Sequence, residues 1–174
     1  MAKKQKKVSD SRVMKTELVL PNDTNTLNNL MGGRLMHWMD IIAAISAQKF
    51  SNSIVVTASV DNISFRKPIR LGDVVTLEAC VTRAFNTSME VFIKAYTENI
   101  PSGKKEESNT AFFTFVAVDK SVKPVYVPEA IAETPKEEAL YLGALRRRQL
   151  RLVLAKRMKP SDANELKSIF DLEK

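Results

Sequence analysis

Asp40 stands in a run from Leu35 to Ala47 that is almost wholly apolar, rich in helix formers and free of Pro and Gly. A carboxylate in such a helix is costly unless it is paired, hydrogen-bonded or used. Placed beside a bound water, it can take a proton as a general base. Gly32 and Gly33 open the same helix, where N–H groups have no intrahelical acceptor and a partial positive charge collects. Without a Cβ they let an anion approach the backbone closely. At about 100° per residue, Asp40 falls within about 20° of the Gly33 face, two turns along. One helix face therefore carries a base and an oxyanion-binding end. The plain alternatives are an aspartate bonded to a neighbour and glycines that exist for close helix–sheet packing.

A helix apolar on every side must be buried on every side, so the remaining elements have to surround it. The helix should end near Lys49. Met14 to Leu20 reads as a short edge strand and Pro21 to Asn25 as a loop. After the helix come Ile54–Phe65, Val74–Phe85, Met89–Thr97 and Ser108–Asp119, rich in β-branched residues and joined mostly as hairpins. Val75, Leu77, Ala79 and Val81 share one face, and the last strand, apolar on both faces, belongs inside the sheet. This is an α+β layer architecture, an antiparallel sheet curled about one long helix. A second copy of the sheet is the natural cover for the rest of the helix, so a dimer is expected. Three segments follow: a mobile basic tail at 1–12, the main domain at 13–128 and a helical extension at 129–174. In the extension, Thr134-Pro135-Lys136-Glu137 combines an N-cap, Pro at the first helical position and a capping-box Glu. That helix should run to about Met158, and a short one after Ser161-Asp162 should carry Leu166, Ile169 and Phe170 on one face.

Composition narrows the chemistry. Cys80 is the only cysteine and His37 the only histidine, so no internal disulfide forms, and metal chemistry and resident cofactors are not expected. No apolar run reaches the roughly 18 residues of a membrane span, and the basic N-terminus lacks the apolar core of a signal peptide. A cytoplasmic location follows as the expectation. The formal net charge of +7 is concentrated in the first seven residues and in Arg146 to Arg157. Solvated surface is the plain reading, and attraction to a phosphate-rich ligand is the functional one. Nucleic acid is disfavoured, because the basic segments lack interleaved aromatics. No G-x-S-x-G elbow accompanies His37, which is read as a packed histidine, with Trp38, Met31, Met36 and Met39 as core.

Asn29-Leu30-Met31-Gly32-Gly33 followed by Trp38-Met39-Asp40 resembles the N-x-x-G-G…M-[DE] signature of the hotdog-fold acyl-CoA thioesterases. Leu20 to Asn25 is similar to that family's entry segment, Phe65 to Asp73 to its F-x-x-P-x-x-x-G-D turn, and Thr110 to Asp119 to its closing strand. The resemblance implies a hotdog fold with a C-terminal helical extension and hydrolysis of acyl-CoA to free acid and coenzyme A. It implies Asp40 as general base, with direct nucleophilic attack held second, and Gly32 and Gly33 as oxyanion donors. Asn29, with Asn28 as runner-up, would face the other protomer's carboxylate. Asn86, Thr87 and Ser88 match the loop that holds coenzyme A, Arg66 and Lys67 are placed to meet phosphates, and Arg147 and Arg151 share a helix face that would reach the nucleotide. Coenzyme A is then part of substrate and product, and the partner is a homo-oligomer, at least a dimer and up to a trimer of dimers. The rival is a non-catalytic acyl-CoA sensor on the same fold.

Overall fold

Helix α1 runs from Gly32 to Ser51. It extends past Lys49 because Asn52 turns left-handed at φ 53° and returns its N–H to Gln48 O, a C-terminal cap that asparagine tolerates. The computed structural model describes residues 4–61, 63 and 67–168. Five strands form an antiparallel sheet: β2 (Val13–Leu18), β3 (Ile54–Asp61), β4 (Val74–Ala84), β5 (Ser88–Asn99) and β6 (Lys104–Val118), in the order β2-β4-β5-β6-β3. β2 is an edge and β6 is interior, as their patterns imply. The end of the long strand expected through Phe65 passes out of the described residues after Asp61.

Alternation in β4, β5 and β6 turns one apolar face toward α1: Val75, Leu77, Met89, Ile93, Phe113 and Phe115 are each at most 1% exposed. Leu35, Met39, Ile42, Ala43 and Phe50 of α1 are equally buried and pack against these strands. The sheet curled on one helix is the expected hotdog layer arrangement. β6 begins earlier than its apolar pattern, because charged residues hold the extended hairpin by cross-strand pairs, Lys94–Glu107 at 2.6 Å and Lys105–Glu98 at 4.0 Å. The turn before β4 depends on Gly72, whose φ of +84° only glycine adopts without strain.

The N-terminal segment differs from the mobile tail expected. Gln5–Lys7 form β1, paired in parallel with β7, Glu129–Ile131, and Val8–Ser11 make a 3-10 turn whose Val8 and Ser11 are buried. The cause is a gap in β4. Its pairing with β2 ends at Ala79, and a bulge follows between Val81 and Arg83. Ser11 fills that gap: Oγ accepts from Val81 N at 2.8 Å and donates to Val8 O, and Ser11 O accepts from Ser46 Oγ on α1. Ser11→Ala leaves the Val81 N–H buried without an acceptor and should cost about 1–3 kcal/mol. The expected reading is a lower urea midpoint with an unchanged slope at fixed protein concentration. An unchanged midpoint would show that the strap carries no such load.

The first compact unit thus extends to Ile131, past the boundary expected at 128, and the second begins at Ala132. In the second, α2 (Pro135–Leu154) opens with the expected capping box: Thr134 Oγ1 accepts from Glu137 N at 3.3 Å, and Glu137 Oε2 accepts from Thr134 N at 3.1 Å. It stops before Met158 because Lys156 turns left-handed at φ 56° and Arg157 N reaches back to Leu152 O. A short α3 (Asn164–Lys167) is tied to α2 by Leu166 N donating to Gln149 Oε1. Ile169 and Phe170 lie outside the described residues.

Candidate active site

Asp40 is half-buried on α1 and accepts a hydrogen bond at Oδ1 from Thr57 Oγ1, 2.8 Å away. Thr57 sits where the β3–β6 register slips between Thr57 and Ser59, and a bulge of this kind bends a strand and re-aims a side chain. The bond fixes one carboxylate oxygen and leaves the other for a further partner. Sequence reading gave Thr57 no role, since a threonine in a β-branched strand looks like any other strand former.

At the start of α1, Arg34 N and Leu35 N both donate to Met31 O. Met31, the N-cap, provides no side-chain acceptor. Among the described residues Gly32 N and Gly33 N carry no hydrogen bond, so two amides are available for an anion. A Cβ on Gly33 would meet nothing within 4 Å, so close packing within the chain does not account for that glycine. Buried Asp23 fixes the helix start: its O accepts from Met31 N, Oδ2 from Leu20 N and Oδ1 from Arg34 Nε at 2.6 Å.

The loop before α1 is organised by Asn25. Its Oδ1 accepts from Leu27 N at 2.9 Å and Asn29 N at 3.2 Å, and its backbone bonds Asn28 and Asn29. Asn28 takes the left-handed region at φ 55°. The loop is clamped to the turn before β4, with Leu30 N on Ile69 O and Leu71 N on Asn28 O. Asn29 pairs with Arg70 through the backbone and is half-buried. Both Asn25 and Asn29 therefore stand close to the helix start.

Gly33, Met36, His37, Asp40 and Ala44 share a face of α1 that the chain leaves open, with Met36 39% exposed and Asp40 and Ala44 half-buried. His37 is exposed rather than packed, and Met31 and Met36 leave the chain's core, while Trp38 and Met39 are buried as expected. The same holds for β3, a free edge whose Ile54, Val56 and Val60 are exposed. Within the single chain, this side of the helix stays uncovered although several of its residues are apolar.

Asn86 and Thr87 form the tight turn before β5. Phe85 N donates to Ser88 O, Ala117 N to Thr87 O and Val127 N to Asn86 O. Ser88 opposes Val116, which opposes Val56 on the other side, so this loop and Thr57 lie at the same end of the sheet. Lys67 is paired with Glu106. That hydrogen bond, with Lys104 adding to it, holds the Glu106 carboxyl below the usual carboxylate range. Arg147 folds back along α2, donating from Nη2 to Leu140 O at 2.8 Å over the space left by Gly143. Arg151 is half-buried on the same helix, and Arg148 has its guanidinium pKa lowered by burial and by neighbouring Arg151 and Arg157. Arg66 lies outside the described residues.

An antiparallel sheet curled on one long helix, with a carboxylate on that helix and free amides at its start among the described residues, is the hotdog arrangement. Comparison with known proteins agrees. The thioesterase superfamily model matches residues 27–104. The Bacillus subtilis (strain 168) protein described as the uncharacterized acyl-CoA thioester hydrolase YkhA is 46% identical over 138 residues, 79% of this chain and 80% of that one. An apo-hexameric acyl-CoA thioesterase superposes with a TM-score of 0.85 at 40% identity, covering 87% of this chain and 97% of that chain. Staphylococcus aureus acyl-CoA hydrolase, solved with butyryl coenzyme A, coenzyme A and coenzyme A disulfide, gives a TM-score of 0.80 at 34% identity over 98% of this chain and 99% of its own. That enzyme has also been solved with alanine replacing an aspartate, an asparagine fifteen residues before it and a threonine seventeen residues after it. The chain belongs to the hotdog-fold acyl-CoA thioesterases.

Proposed function

We propose that this protein hydrolyses acyl-CoA thioesters to the free acid and coenzyme A, with Asp40 as the general base. The observation that carries this reading is the Thr57–Asp40 hydrogen bond. It fixes the carboxylate while leaving an oxygen on the open helix face where a water can be held. Asp40 takes the water's proton as its oxygen attacks the thioester carbonyl carbon. The resulting oxyanion is received by the N–H groups of Gly32 and Gly33, and collapse of the adduct expels the coenzyme A thiolate. Positioned bases contribute about 10²–10⁴-fold, and losing one oxyanion donor typically costs about 10²–10³ in rate.

A single chain does not bring these parts together. Gly33 and Asp40 are about 10 Å apart along the helix axis, whereas base, water and oxyanion donors must surround one carbonyl group within hydrogen-bond reach. A second chain seated on the open face of α1 and the free edge of β3 resolves this, by setting its own helix start opposite Asp40. β3 reads Ile54-Val55-Val56-Thr57-Ala58-Ser59-Val60-Asp61, with no Lys or Pro to protect the edge. We therefore propose a dimer with two composite sites, which in turn assembles into a hexamer like the apo-hexameric relative.

The asparagine of the site is placed at Asn25 in preference to Asn29. Asn25 precedes Asp40 by fifteen residues and Thr57 follows it by seventeen, the spacing of the three residues replaced in the S. aureus enzyme. With its Oδ1 held by two backbone amides, Asn25 has its Nδ2 to orient water or the thioester oxygen. Asn86, Thr87, Ser88 and Lys67 are the proposed contacts to coenzyme A. A thiol-release assay across short-, medium- and long-chain acyl-CoAs tests the function, with turnover of at least one class expected. Binding without release across the whole panel would make the protein a sensor.

A further inference from the structure

The exposed side of α2 has the wrong composition for water. Leu142, Arg146, Leu150 and Leu154 recur at intervals of four, which keeps them along one side of the helix. All four are exposed, the leucines by 57%, 45% and 74%. Ala139, exposed as well, continues the stripe toward the helix start. A helix of a globular protein normally turns polar residues to solvent. This one presents leucines over about 18 Å of its length.

Positive charge gathers beside them. Residues 146–159 hold seven Arg and Lys and no Asp or Glu, while the acids of α2, Glu137 and Glu138, stand in its first turn. Arg146, Lys156, Arg157 and Lys159 are exposed. Arg157 lies past the helix end, yet its N–H returns to Leu152 O and its charge reaches Arg148. The exposed leucines and the cations therefore share the C-terminal half of α2 and the segment after it, the pattern of a basic amphipathic helix.

Three occupants would make different demands on such a face. Nucleic acid would use the cations but leave the leucines idle, and residues 142–159 hold no aromatic on which a base could stack. A second copy of the chain would set one cationic stripe against another. An anionic bilayer satisfies both features, since its acyl boundary takes the leucines and its headgroups take the cations. Arg146, in the middle of the stripe, has a stem long enough to lift its charge to the headgroups.

We infer that this face of α2 docks the protein on an anionic lipid bilayer. The helix lies in the plane of the interface, with Leu142, Leu150 and Leu154 in the acyl boundary and Lys156, Arg157 and Lys159 on the headgroups.

The test is sedimentation of the full chain with vesicles of phosphatidylglycerol and phosphatidylcholine in equal parts, against phosphatidylcholine alone. Partitioning onto the anionic vesicles should be higher by about tenfold or more at low ionic strength, and should fall as salt rises. Lys156→Gln/Arg157→Gln/Lys159→Gln should lower it by about 10²-fold, at about fivefold for each cation near the surface. Leu142→Gln/Leu150→Gln/Leu154→Gln leaves the charge alone and should still lower it by about tenfold or more. Both variants should keep the wild-type mass by light scattering. Equal partitioning onto anionic and neutral vesicles would overturn the assignment, as would either triple variant binding like the wild type. A drop in the mass of the leucine variant would give the face to a second copy of the chain. Preference for a duplex oligonucleotide over the vesicles, indifferent to the leucines, would give the segment to nucleic acid.

Discussion

Asp40→Asn should lower kcat for thioester hydrolysis by about 10²–10⁴-fold, equivalent to about 3–5 kcal/mol of lost transition-state stabilisation. KM should change little, because asparagine keeps the shape of the side chain and can still meet Thr57 Oγ1, which donates to Asp40 Oδ1 at 2.8 Å. Asp40→Ala should lose at least as much. Thr57 acts through Asp40 and is a positioning residue, so Thr57→Val should lower kcat while Thr57→Ser, which retains the hydroxyl, restores most of it. Near-normal turnover in both Asp40 variants would dispose of the general-base role. Equal losses in Thr57→Val and Thr57→Ser would point to strand packing instead of the hydrogen bond.

The second large effect is a gain. Asn25→Ala and Asp40→Ala homo-oligomers should each be nearly inactive, yet a mixture allowed to exchange subunits should recover activity. If each site takes Asp40 from one chain and Asn25 from the other, half of random dimers are mixed. Each mixed dimer rebuilds one of its two sites, so about one quarter of all sites regain both residues. The recovered rate should follow the mixing ratio and fall away when either variant is in large excess. The same mixture made with Asn29→Ala in place of Asn25→Ala distinguishes the two asparagines: an active Asn29→Ala homo-oligomer assigns the role to Asn25. No recovery despite exchange, verified by mass spectrometry of differently labelled chains, would mean that each site is completed within one chain.

Much of this arrangement is legible in the order of residue types. The buried helix, the inner faces of β4 and β5, and the free amides at Gly32 and Gly33 follow from periodicity and helix-end chemistry, which are local. What escapes is set by distant partners. Thr57 meets Asp40 only because β3 returns along α1 and slips register beside it. His37 and Met36 look like core because nothing in a sequence separates the face of an apolar helix that its own chain covers from the face that it leaves open. β1 is three residues long and charged, with no alternation to betray it, and its strand partner lies more than a hundred residues on. The sequence points to Asn29, with Asn28 as runner-up, because both adjoin the glycines; that the Asn25 side chain organises this loop depends on backbone bonds to Leu27 and Asn29 that residue order does not display.

That pairing of β1 with β7 sets a timetable for synthesis. Gln5 and Glu129 are 124 positions apart, and translation at about 5–20 residues per second separates them by about 6–25 s. Throughout that interval the strand that should lie alongside β1 does not yet exist, so the strap's own docking has nothing to hold it in place. Gln5–Lys7 are thus made well before the strand they pair with. The long-range closure carries an entropic cost that the early hairpins do not share. A chain stalled or truncated short of Glu129 would keep the helix and the sheet hairpins yet lack the strand that pairs with Gln5–Lys7, and would present the unpaired strap to proteases and chaperones.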